Sequence, residues 1–324
     1  MTLPRVYASR RLPGGALARL AAASDLDLWE GDGPVEPEAL RRGASGAEGL
    51  LCMLTDPVDA ALIAACEDLR AISSCSVGLD HVDLEAATGR GIPVGHTPGV
   101  LAETTADLTF GLMLAAARRI VEADRWLREG RWTWDRRWDP EGFLGRDLHG
   151  ATLGVIGLGQ IGRAVARRAS GFGMRVLGWS RTARTIEGVR AVSLPELLAE
   201  SDFVNVHVAL TPETRGLLGR EAIAQMRPGV VLVNSARGGI LDEEALVEGL
   251  HEGRVGAAAL DVFAEEPLDP ASSLLSAPGL VLTPHIGSAS VVTRTRMADL
   301  AVNNLLAALE GRAMPSCANP SVLG

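Results

Sequence analysis

The segment 153–162, with the sequence LGVIGLGQIG, decides the fold. It runs from an apolar strand pattern through three glycines spaced G-x-G-x-x-G and into a helical pattern. In that setting Gly157 permits a tight turn, Gly159 lets a pyrophosphate approach the backbone, and Gly162 lets helix and strand pack closely. The spacing alone is weak evidence in a chain with 37 glycines, but the flanking strand and helix predict dinucleotide binding. The expected cofactor contacts here are Gly157, Leu158, Gly159, Gln160, Ile161 and Gly162.

Short apolar runs alternate with helical patterns along almost the whole chain, which is typical of parallel sheets with crossover helices. We therefore expect an α/β fold with two Rossmann-like parallel-sheet domains and a cleft between them. The last helical pattern has no strand after it and can return to the first domain. The expected bounds are 1–98 plus 290–324 for a discontinuous substrate-binding (catalytic) domain and 99–289 for the dinucleotide-binding domain. The candidate strands are 6–8, 50–54, 71–72, 153–156, 175–179, 203–208, 230–234, 257–261 and 280–283.

The composition excludes several functions. All 31 residues of the Lys and Arg class are arginines, so Schiff-base chemistry, a pyridoxal-phosphate anchor and the P-loop signature are excluded, since each needs lysine. A net charge of −9 argues against nucleic acid as a partner. We see no signal peptide, no apolar stretch long enough to cross a bilayer and no metal-ligand spacing. A soluble, cytoplasmic protein without a metal is expected.

The end of the second strand of the dinucleotide-binding domain carries Ser180, Arg181 and Thr182. Enzymes that use NAD usually have an acid at this place, where it accepts hydrogen bonds from the adenosine ribose. Here the first acid is Glu187, and an arginine fork with two hydroxyls suits a 2′-phosphate instead. The pattern favours NADPH, with NADH as the alternative. A solvated surface charge is the other interpretation of Arg181.

Ionisable residues follow three later strand patterns, at the strand ends where α/β sheets bind ligands. The guanidinium of Arg237 suits a carboxylate and an adjacent carbonyl oxygen, although a structural salt bridge is an equal alternative for this residue alone. Glu265 and Glu266 follow the next strand, and His285 follows the third. A histidine backed by a carboxylate is a suitable proton donor, and only one of two adjacent acids can face it. His207 ends a further strand and is expected to line the cofactor pocket.

These segments resemble the D-isomer-specific 2-hydroxyacid dehydrogenase family, and most of all its glyoxylate/hydroxypyruvate reductase branch. The resemblance covers nearly the whole chain. Besides the glycine, arginine, glutamate and histidine segments, it includes 76–83 (SVGLDHVD), 97–100 (TPGV), 201–203 (SDF) and 210–214 (LTPET). Each motif is modest alone, whereas their order and spacing together are highly specific.

The resemblance implies reduction of glyoxylate to glycolate and of hydroxypyruvate to D-glycerate. Arg237 would bind the substrate carboxylate and polarise the 2-oxo group. His285, paired with Glu266, would give its proton to the 2-oxo oxygen. The backbone amides of Val77 and Gly78 would also hold the carboxylate. The other expected substrate and cofactor contacts are Leu54, Ser180, Arg181, Thr182, His207, Ser235, Ala236, Asp261 (beside the nicotinamide carboxamide), His285 and Gly287.

Four of the six tryptophans lie within residues 126–138 and are interleaved with arginines. A helix packed on its own domain is one interpretation, but Trp and Arg are also enriched at interface hot spots. The family is commonly homodimeric through this region, so the resemblance implies a homodimer. If a tryptophan of this segment reaches the neighbouring active site, Trp138 is the candidate.

Two alternatives stay open. The chain could be an NAD-linked dehydrogenase of another D-2-hydroxy acid or, in a different functional class, a dinucleotide-sensing corepressor-like binding protein. The complete arginine, glutamate and histidine set favours an enzyme without deciding the point. The remaining histidines, His81, His96, His149 and His251, show no partner pattern and are interpreted as structural.

Overall fold

The computed structural model describes residues 2–182 and 184–323. The chain divides into two compact units, Met1–Leu101 with Ser288–Gly324, and Ala102–Gly287. Each unit contains one parallel sheet with helices between its strands, so the expected α/β class with two Rossmann-like sheets is confirmed. None of the helices within the described ranges has both the length and the apolar character needed to cross a membrane.

The first unit is built on a five-stranded sheet. Its elements are β1 (Arg5–Ala8), α1 (Ala16–Ala23), β2 (Asp25–Leu28), α2 (Pro37–Ala44), β3 (Gly49–Cys52), α3 (Ala60–Ala65), β4 (Ala71–Ser74), α4 (Leu84–Gly89), β5 (Val94–Gly95) and α11 (Val291–Leu309). The strand order is β2-β1-β3-β4-β5, with parallel pairing throughout. Helix α11 packs on this sheet through the buried side chains of Ala298, Val302 and Leu305.

The second unit is built on a seven-stranded sheet. Its elements are α5 (Ala102–Ala117), α6 (Ile120–Arg128), β6 (Thr152–Ile156), α7 (Gln160–Gly171), β7 (Arg175–Trp179), β8 (Val189–Ala191), α8 (Leu194–Glu200), β9 (Phe203–Val206), α9 (Arg220–Gln225), β10 (Val230–Asn234), α10 (Glu243–His251), β11 (Val255–Leu260) and β12 (Leu280–Leu282). The strand order is β12-β11-β10-β9-β6-β7-β8, again with parallel pairing.

Strand β10 shows why the central strands are nearly continuous apolar runs. Successive side chains of a strand point to opposite faces of the sheet. Val231 and Val233 therefore pack into the cluster that includes α5 and α7, whereas Val230 and Leu232 pack into the cluster on the other face. A parallel sheet covered by helices on both faces needs apolar residues at every position. The loops at its carboxyl edge are left to carry the polar chemistry.

Candidate active site

The carboxyl ends of three neighbouring strands carry the residues expected to act on a substrate. Strands β10, β11 and β12 are adjacent and parallel, so their carboxyl ends lie at one edge of the sheet. Arg237 follows β10, Glu266 lies in the loop after β11, and His285 follows β12. Ligands of α/β sheets bind at this edge.

His285 and Glu266 form a direct pair. Nδ1 of His285 lies 2.7 Å from Oε2 of Glu266, and Oε1 of the same carboxylate accepts a hydrogen bond of 3.0 Å from the N–H of Phe263. An ionised carboxylate only accepts hydrogen bonds, so Nδ1 carries a proton and the imidazole is held in one orientation. The neighbouring Glu265 is exposed and forms no side-chain hydrogen bond or ion pair within the described ranges.

The charge of Glu266 follows from its surroundings. Burial opposes ionisation, but the hydrogen bonds from His285 and from the N–H of Phe263, with the positive charge of Arg237, outweigh it. The pKa of Glu266 therefore lies below its ordinary value. The carboxyl group is ionised at neutral pH and supplies a negative charge behind the imidazole.

Asp261 shapes the turn that carries His285. Its Oδ1 accepts hydrogen bonds from Oγ1 of Thr283 at 2.6 Å and from the N–H of Ile286 at 2.8 Å. Its backbone carbonyl accepts a third bond of 2.9 Å from the N–H of His285. These bonds hold His285 in the left-handed backbone region, with a φ of 52°. That conformation costs a non-glycine residue on the order of 1 kcal/mol, and such strain concentrates at functional sites.

Two local features fix the position of Arg237. The buried side chain of Asn234 accepts a hydrogen bond of 3.1 Å from the N–H of Ala236 and donates one of 2.9 Å to the carbonyl of Arg237. A Cβ atom at Gly238 would lie 1.8 Å from the backbone carbonyl carbon of Phe263. Only glycine therefore lets the loop after β11 come this close to the loop after β10.

The glycine loop after β6 has the shape that a dinucleotide requires. Gly157 has a φ of 103°, and a Cβ atom there would meet the carbonyl carbon of His207 at 2.6 Å. A Cβ atom at Gly162 would meet the carbonyl oxygen of Gly157 at 1.9 Å. At Gly159, which caps α7, a Cβ atom would meet nothing within 4 Å in the described part of the chain. This open space lies at the helix N-terminus, where the N–H groups favour a pyrophosphate.

Two buried polar side chains along the same edge also fit a dinucleotide. Both ring nitrogens of His207 and Oδ2 of Asp261 are buried without a hydrogen-bond partner among residues 2–182 and 184–323. Burial lowers the pKa of His207 to about 3, so its imidazole is neutral. Burial also raises the pKa of Asp261, against the hydrogen bonds from Thr283 and Ile286. Buried groups of this kind are costly unless a ligand or water completes their bonds.

Ser180, Arg181 and Thr182 follow β7 at this edge. Oγ of Ser180 donates a hydrogen bond of 2.7 Å to the carbonyl of Thr182. The side chain of Arg181 is 72% exposed and lies 3.7 Å from the carboxylate of Glu213. An exposed ion pair of this length contributes little stability, so the guanidinium can exchange its partner for another anion.

Helix α5 fixes two loops that carry expected cofactor contacts. Oγ of Ser235 lies 2.8 Å from Oγ1 of Thr109, and Oγ1 of Thr105 donates a hydrogen bond of 3.1 Å to the carbonyl of Gly287. The loops after β10 and β12 are therefore tied to one helix. Ala236 is the residue after Ser235, so its backbone lies next to the bond between Ser235 and Thr109.

In the first unit, residues 76–79 form a loop after β4 that we name the amide loop. The N–H groups of Val77 and Gly78 form no hydrogen bond with the described residues, whereas the carbonyls of Ser76, Val77 and Gly78 each accept one. Unpaired N–H groups that follow one another form an anion-binding concavity. Leu54 follows β3 of the same sheet and is exposed.

The tryptophan segment 126–138 belongs to the second unit and is largely exposed. Trp134 and Trp138 are 80% and 81% exposed, and Trp132 is exposed as well. Clustered exposed apolar side chains mark an interaction surface. The same part of the chain exposes Ile120, Val121, Leu127 and Leu144.

Sequence reasoning missed the residues that support the site. Asn234 and Gly238 are ordinary turn residues in the sequence. The side chain of Asn234 bonds locally to Ala236 and Arg237, whereas the contact of Gly238 appears only when the loop after β11 is present. The sequence also shows no pattern that indicates partners for His81 and His96, and the structure gives both of them hydrogen-bond partners. Nε2 of His81 lies 3.0 Å from Oγ of Ser74, and Nδ1 of His96 lies 3.2 Å from the carbonyl oxygen of Val77.

Comparison with known proteins identifies the family. The family model described as "D-isomer specific 2-hydroxyacid dehydrogenase, NAD binding domain" matches residues 110–287, more than half of the chain. The chain belongs to the D-isomer-specific 2-hydroxyacid dehydrogenase family. The expected resemblance, including its glyoxylate reductase branch, is confirmed, and the chain is an NAD(P)-dependent oxidoreductase.

Individual relatives of this dehydrogenase match over almost their full length. A glyoxylate reductase of Korarchaeum cryptofilum is 44% identical over 324 residues, which cover 99% of this chain and 97% of that protein. A Thermus thermophilus protein of known structure has a TM-score of 0.91 and 50% identity, over 97% of this chain and 99% of its own. An NADPH-dependent glyoxylate/hydroxypyruvate reductase of Sinorhizobium meliloti, solved with NADP and malonate, has a TM-score of 0.87 and 34% identity, over 98% of this chain and 97% of its own.

Proposed function

We propose that this dehydrogenase reduces glyoxylate to glycolate and hydroxypyruvate to D-glycerate, with NADPH as the preferred cofactor. The observation that carries the proposal is the bond between His285 and Glu266 at the sheet edge that also presents Arg237. The relatives named glyoxylate reductase support the substrate class. These substrates are small anions with a carbonyl group next to a carboxylate. Arg237 and the pair of His285 and Glu266 can bind an anion of this kind.

Arg237 is the proposed anchor for the substrate carboxylate and the adjacent 2-oxo group. Its planar guanidinium can donate hydrogen bonds to both oxygens at once. The unpaired N–H groups of Val77 and Gly78 are proposed to bind the carboxylate as well, and Leu54 to cover the carbon chain. When the guanidinium and the backbone N–H groups bind one carboxylate together, they orient the carbonyl carbon for reduction.

His285 is the proposed proton donor. Because Nδ1 is bonded to Glu266, Nε2 is the nitrogen that can pass a proton to the 2-oxo oxygen. The imidazolium and Arg237 place positive charge where the oxygen becomes negative. The nicotinamide, when bound, supplies the hydride to the carbonyl carbon. The charge of Glu266 stabilises the protonated imidazole before transfer and holds its orientation afterwards.

NADPH is proposed because positions 180–182 lack an acid and include Arg181, whose side chain is exposed. The Sinorhizobium meliloti relative, which is NADPH-dependent, supports this choice. The residues proposed to hold the dinucleotide are the glycine loop 157–162, Ser180, Arg181, Thr182, His207, Ser235, Ala236, Asp261, His285 and Gly287.

A homodimer is proposed through the tryptophan segment 126–138. Its support is the exposure of Trp134 and Trp138 together with the apolar side chains of α6. Sedimentation of the wild-type protein should give twice the chain mass, and Trp134→Glu should shift it toward the monomer. A wild-type monomer would overturn this part of the proposal. The cytoplasmic location stays a prediction.

A cofactor-by-substrate panel tests the proposed function. NADPH and NADH oxidation would be followed with glyoxylate, hydroxypyruvate, pyruvate and a phosphorylated 2-oxo acid. We expect turnover with glyoxylate and hydroxypyruvate, and a lower KM for NADPH than for NADH. Turnover with none of the four acids would overturn the activity. A strong preference for NADH would overturn the cofactor assignment alone.

A further inference from the structure

Three consecutive carbonyls of the amide loop are held by donors from within the first unit. The N–H of Thr97 donates a hydrogen bond of 2.8 Å to the carbonyl of Ser76, and Oγ of Ser76 donates one of 2.7 Å to the carbonyl of Gly78. Between them, Nδ1 of His96 lies 3.2 Å from the carbonyl oxygen of Val77. Because a carbonyl oxygen only accepts, Nδ1 of His96 carries a proton in this arrangement.

These bonds fix the direction of the N–H groups on the other side of each peptide. In a trans peptide group, the C=O and N–H bonds point in opposite directions within one plane. The carbonyl of Ser76 shares its peptide group with the N–H of Val77, and the carbonyl of Val77 shares its group with the N–H of Gly78. Because both donors belong to residues 96 and 97, each bond aims the N–H of its own peptide group away from that segment. A donor on the carbonyl also polarises the N–H toward a negative charge.

The backbone of His96 is itself held in place. Its carbonyl accepts a hydrogen bond of 2.9 Å from Nδ2 of Asn304 on α11, and Oδ1 of Asn304 accepts one of 2.9 Å from the N–H of Ser316. Asn304 is fully buried, and a Cβ atom at Gly95 would lie 2.6 Å from its Cβ. The imidazole of His96 therefore extends from a rigid point toward the amide loop.

A second histidine reaches the same loop through two hydroxyl groups. Since Ser76 gives its proton to the carbonyl of Gly78, its Oγ has to accept from Oγ of Ser74, 2.7 Å away. Ser74 has then used its proton and has to accept from Nε2 of His81, 3.0 Å away. The acceptor at the end of the chain sets the direction of every bond in it.

We propose that His96 is a positioning residue for the substrate carboxylate and that His81, through the two serines, restrains the loop at the Gly78 carbonyl. The inference rests on the proposed function, because it takes the N–H groups of Val77 and Gly78 to be a carboxylate site. Neither histidine touches the substrate. His96 keeps the N–H of Gly78 aimed and polarised, and the chain from His81 holds the carbonyl on the other side of Gly78, so that the loop does not have to reorganise when the anion binds.

The test compares two variants of His96 with a matched histidine elsewhere. His96→Leu removes the donor, whereas His96→Asn retains an N–H group at the position of Nδ1. We expect His96→Leu to raise the KM for glyoxylate about fivefold to tenfold, the range for loss of one hydrogen bond. The dissociation constant of NADPH and kcat should change less than about twofold. His96→Asn should recover most of the loss, and His251→Leu, on the exposed end of α10, should match the wild type.

Binding of oxalate with NADPH present, measured by calorimetry, reports the carboxylate site without turnover. Its dissociation constant should rise in His96→Leu by the same factor as the KM for glyoxylate. If the wild type reduces glyoxylate but both constants are unchanged in His96→Leu, the inference is wrong and the proposed function stands. An equal loss of NADPH binding would also overturn it, since that indicates general damage. If the wild type reduces no 2-oxo acid, the proposed function fails instead.

If His96→Leu does not fold, His96→Ala makes the same test at that position, and Ser76→Ala tests the chain from His81. Ser76→Ala removes the donor to the carbonyl of Gly78 and interrupts the chain from His81, while the backbone bond from Thr97 remains. The KM for glyoxylate and the oxalate dissociation constant should again rise together. If the KM for glyoxylate and the oxalate dissociation constant of Ser76→Ala both equal the wild-type values, the role of His81 is contradicted.

Discussion

Nδ1 of His285 lies 2.7 Å from Oε2 of Glu266, and the adjacent Glu265 is exposed with no such contact in the described chain. The two acids differ by one position and have the same chemistry, so only the direction of the side chain separates them. This relationship allows a matched comparison in which one variant changes the charge behind the imidazole and the other does not.

Glu266→Gln should reduce glyoxylate more slowly, because an amide does not stabilise a positive charge on the imidazole of His285. We expect kcat/KM to fall roughly tenfold to a hundredfold at neutral pH. Glu265→Gln serves as the control and should keep the wild-type kcat/KM. An equal kcat/KM in the two variants would contradict the assigned pair of His285 and Glu266.

Gly159→Ala should separate cofactor binding from folding. A Cβ atom at this position meets no described protein atom within 4 Å, so the variant should unfold at nearly the wild-type temperature. The same atom occupies the space where a pyrophosphate would approach the helix, so the dissociation constant of NADPH should rise about tenfold or more. Gly171→Ala, in the last turn of α7 and equally open, should change neither value. Unchanged NADPH binding in Gly159→Ala would show that the cofactor lies elsewhere.

Arg181 and Glu213 should act on cofactor choice in opposite directions. Arg181→Ala removes the proposed partner of the 2′-phosphate, so the KM for NADPH should rise about tenfold while that for NADH stays within about twofold. Glu213→Gln removes the carboxylate that lies 3.7 Å from Arg181 and should lower the KM for NADPH. Arg190→Ala, an exposed arginine of β8 with acidic partners of its own, is the control. An equal rise in the KM for NADPH and the KM for NADH in Arg181→Ala would refute the role of Arg181.

His207 should make the stability depend on pH. Burial lowers its pKa in the folded protein from 6.5 to about 3, whereas the unfolded chain takes up a proton near the ordinary value. The folded state therefore loses stability as the pH falls through the unfolded pKa, by about 2 kcal/mol between about pH 6.5 and pH 5. Urea unfolding of the wild type and of His207→Asn measures this loss, which should be smaller in the variant. Parallel pH dependences would contradict a buried, neutral His207.

The fold was predictable where strands are covered on both faces. The predicted strands 175–179 and 230–234 match β7 and β10, because a covered parallel strand is a continuous apolar run. The strands that were missed, β2, β5 and β8, all lie at sheet edges. Edge strands are short and partly solvated, and Asp25–Leu28 alternates aspartate with leucine. Their pairing depends on a neighbour that a local pattern does not contain.

The site was predictable to the extent that it depends on chain order. Parallel topology brings every strand end to one edge, so Arg237, Glu266 and His285 could be grouped from the sequence, although the choice between the two adjacent acids needed the family resemblance. The contacts that fix them depend on loops far apart in the chain. The approach of Gly238 to Phe263 and the bond from His96 to Val77 leave no local signal, so neither could be predicted.

The most direct test of the central claim is the single-turnover rate of NADPH oxidation by glyoxylate, measured by stopped flow in the wild type and in His285→Gln. The wild type should oxidise NADPH only when glyoxylate is present, with His285 as the proton donor. His285→Gln should then bind NADPH normally and react about a thousandfold more slowly, within the usual range for loss of a general acid. A wild-type rate in His285→Gln, with the same dependence on glyoxylate, would contradict the account.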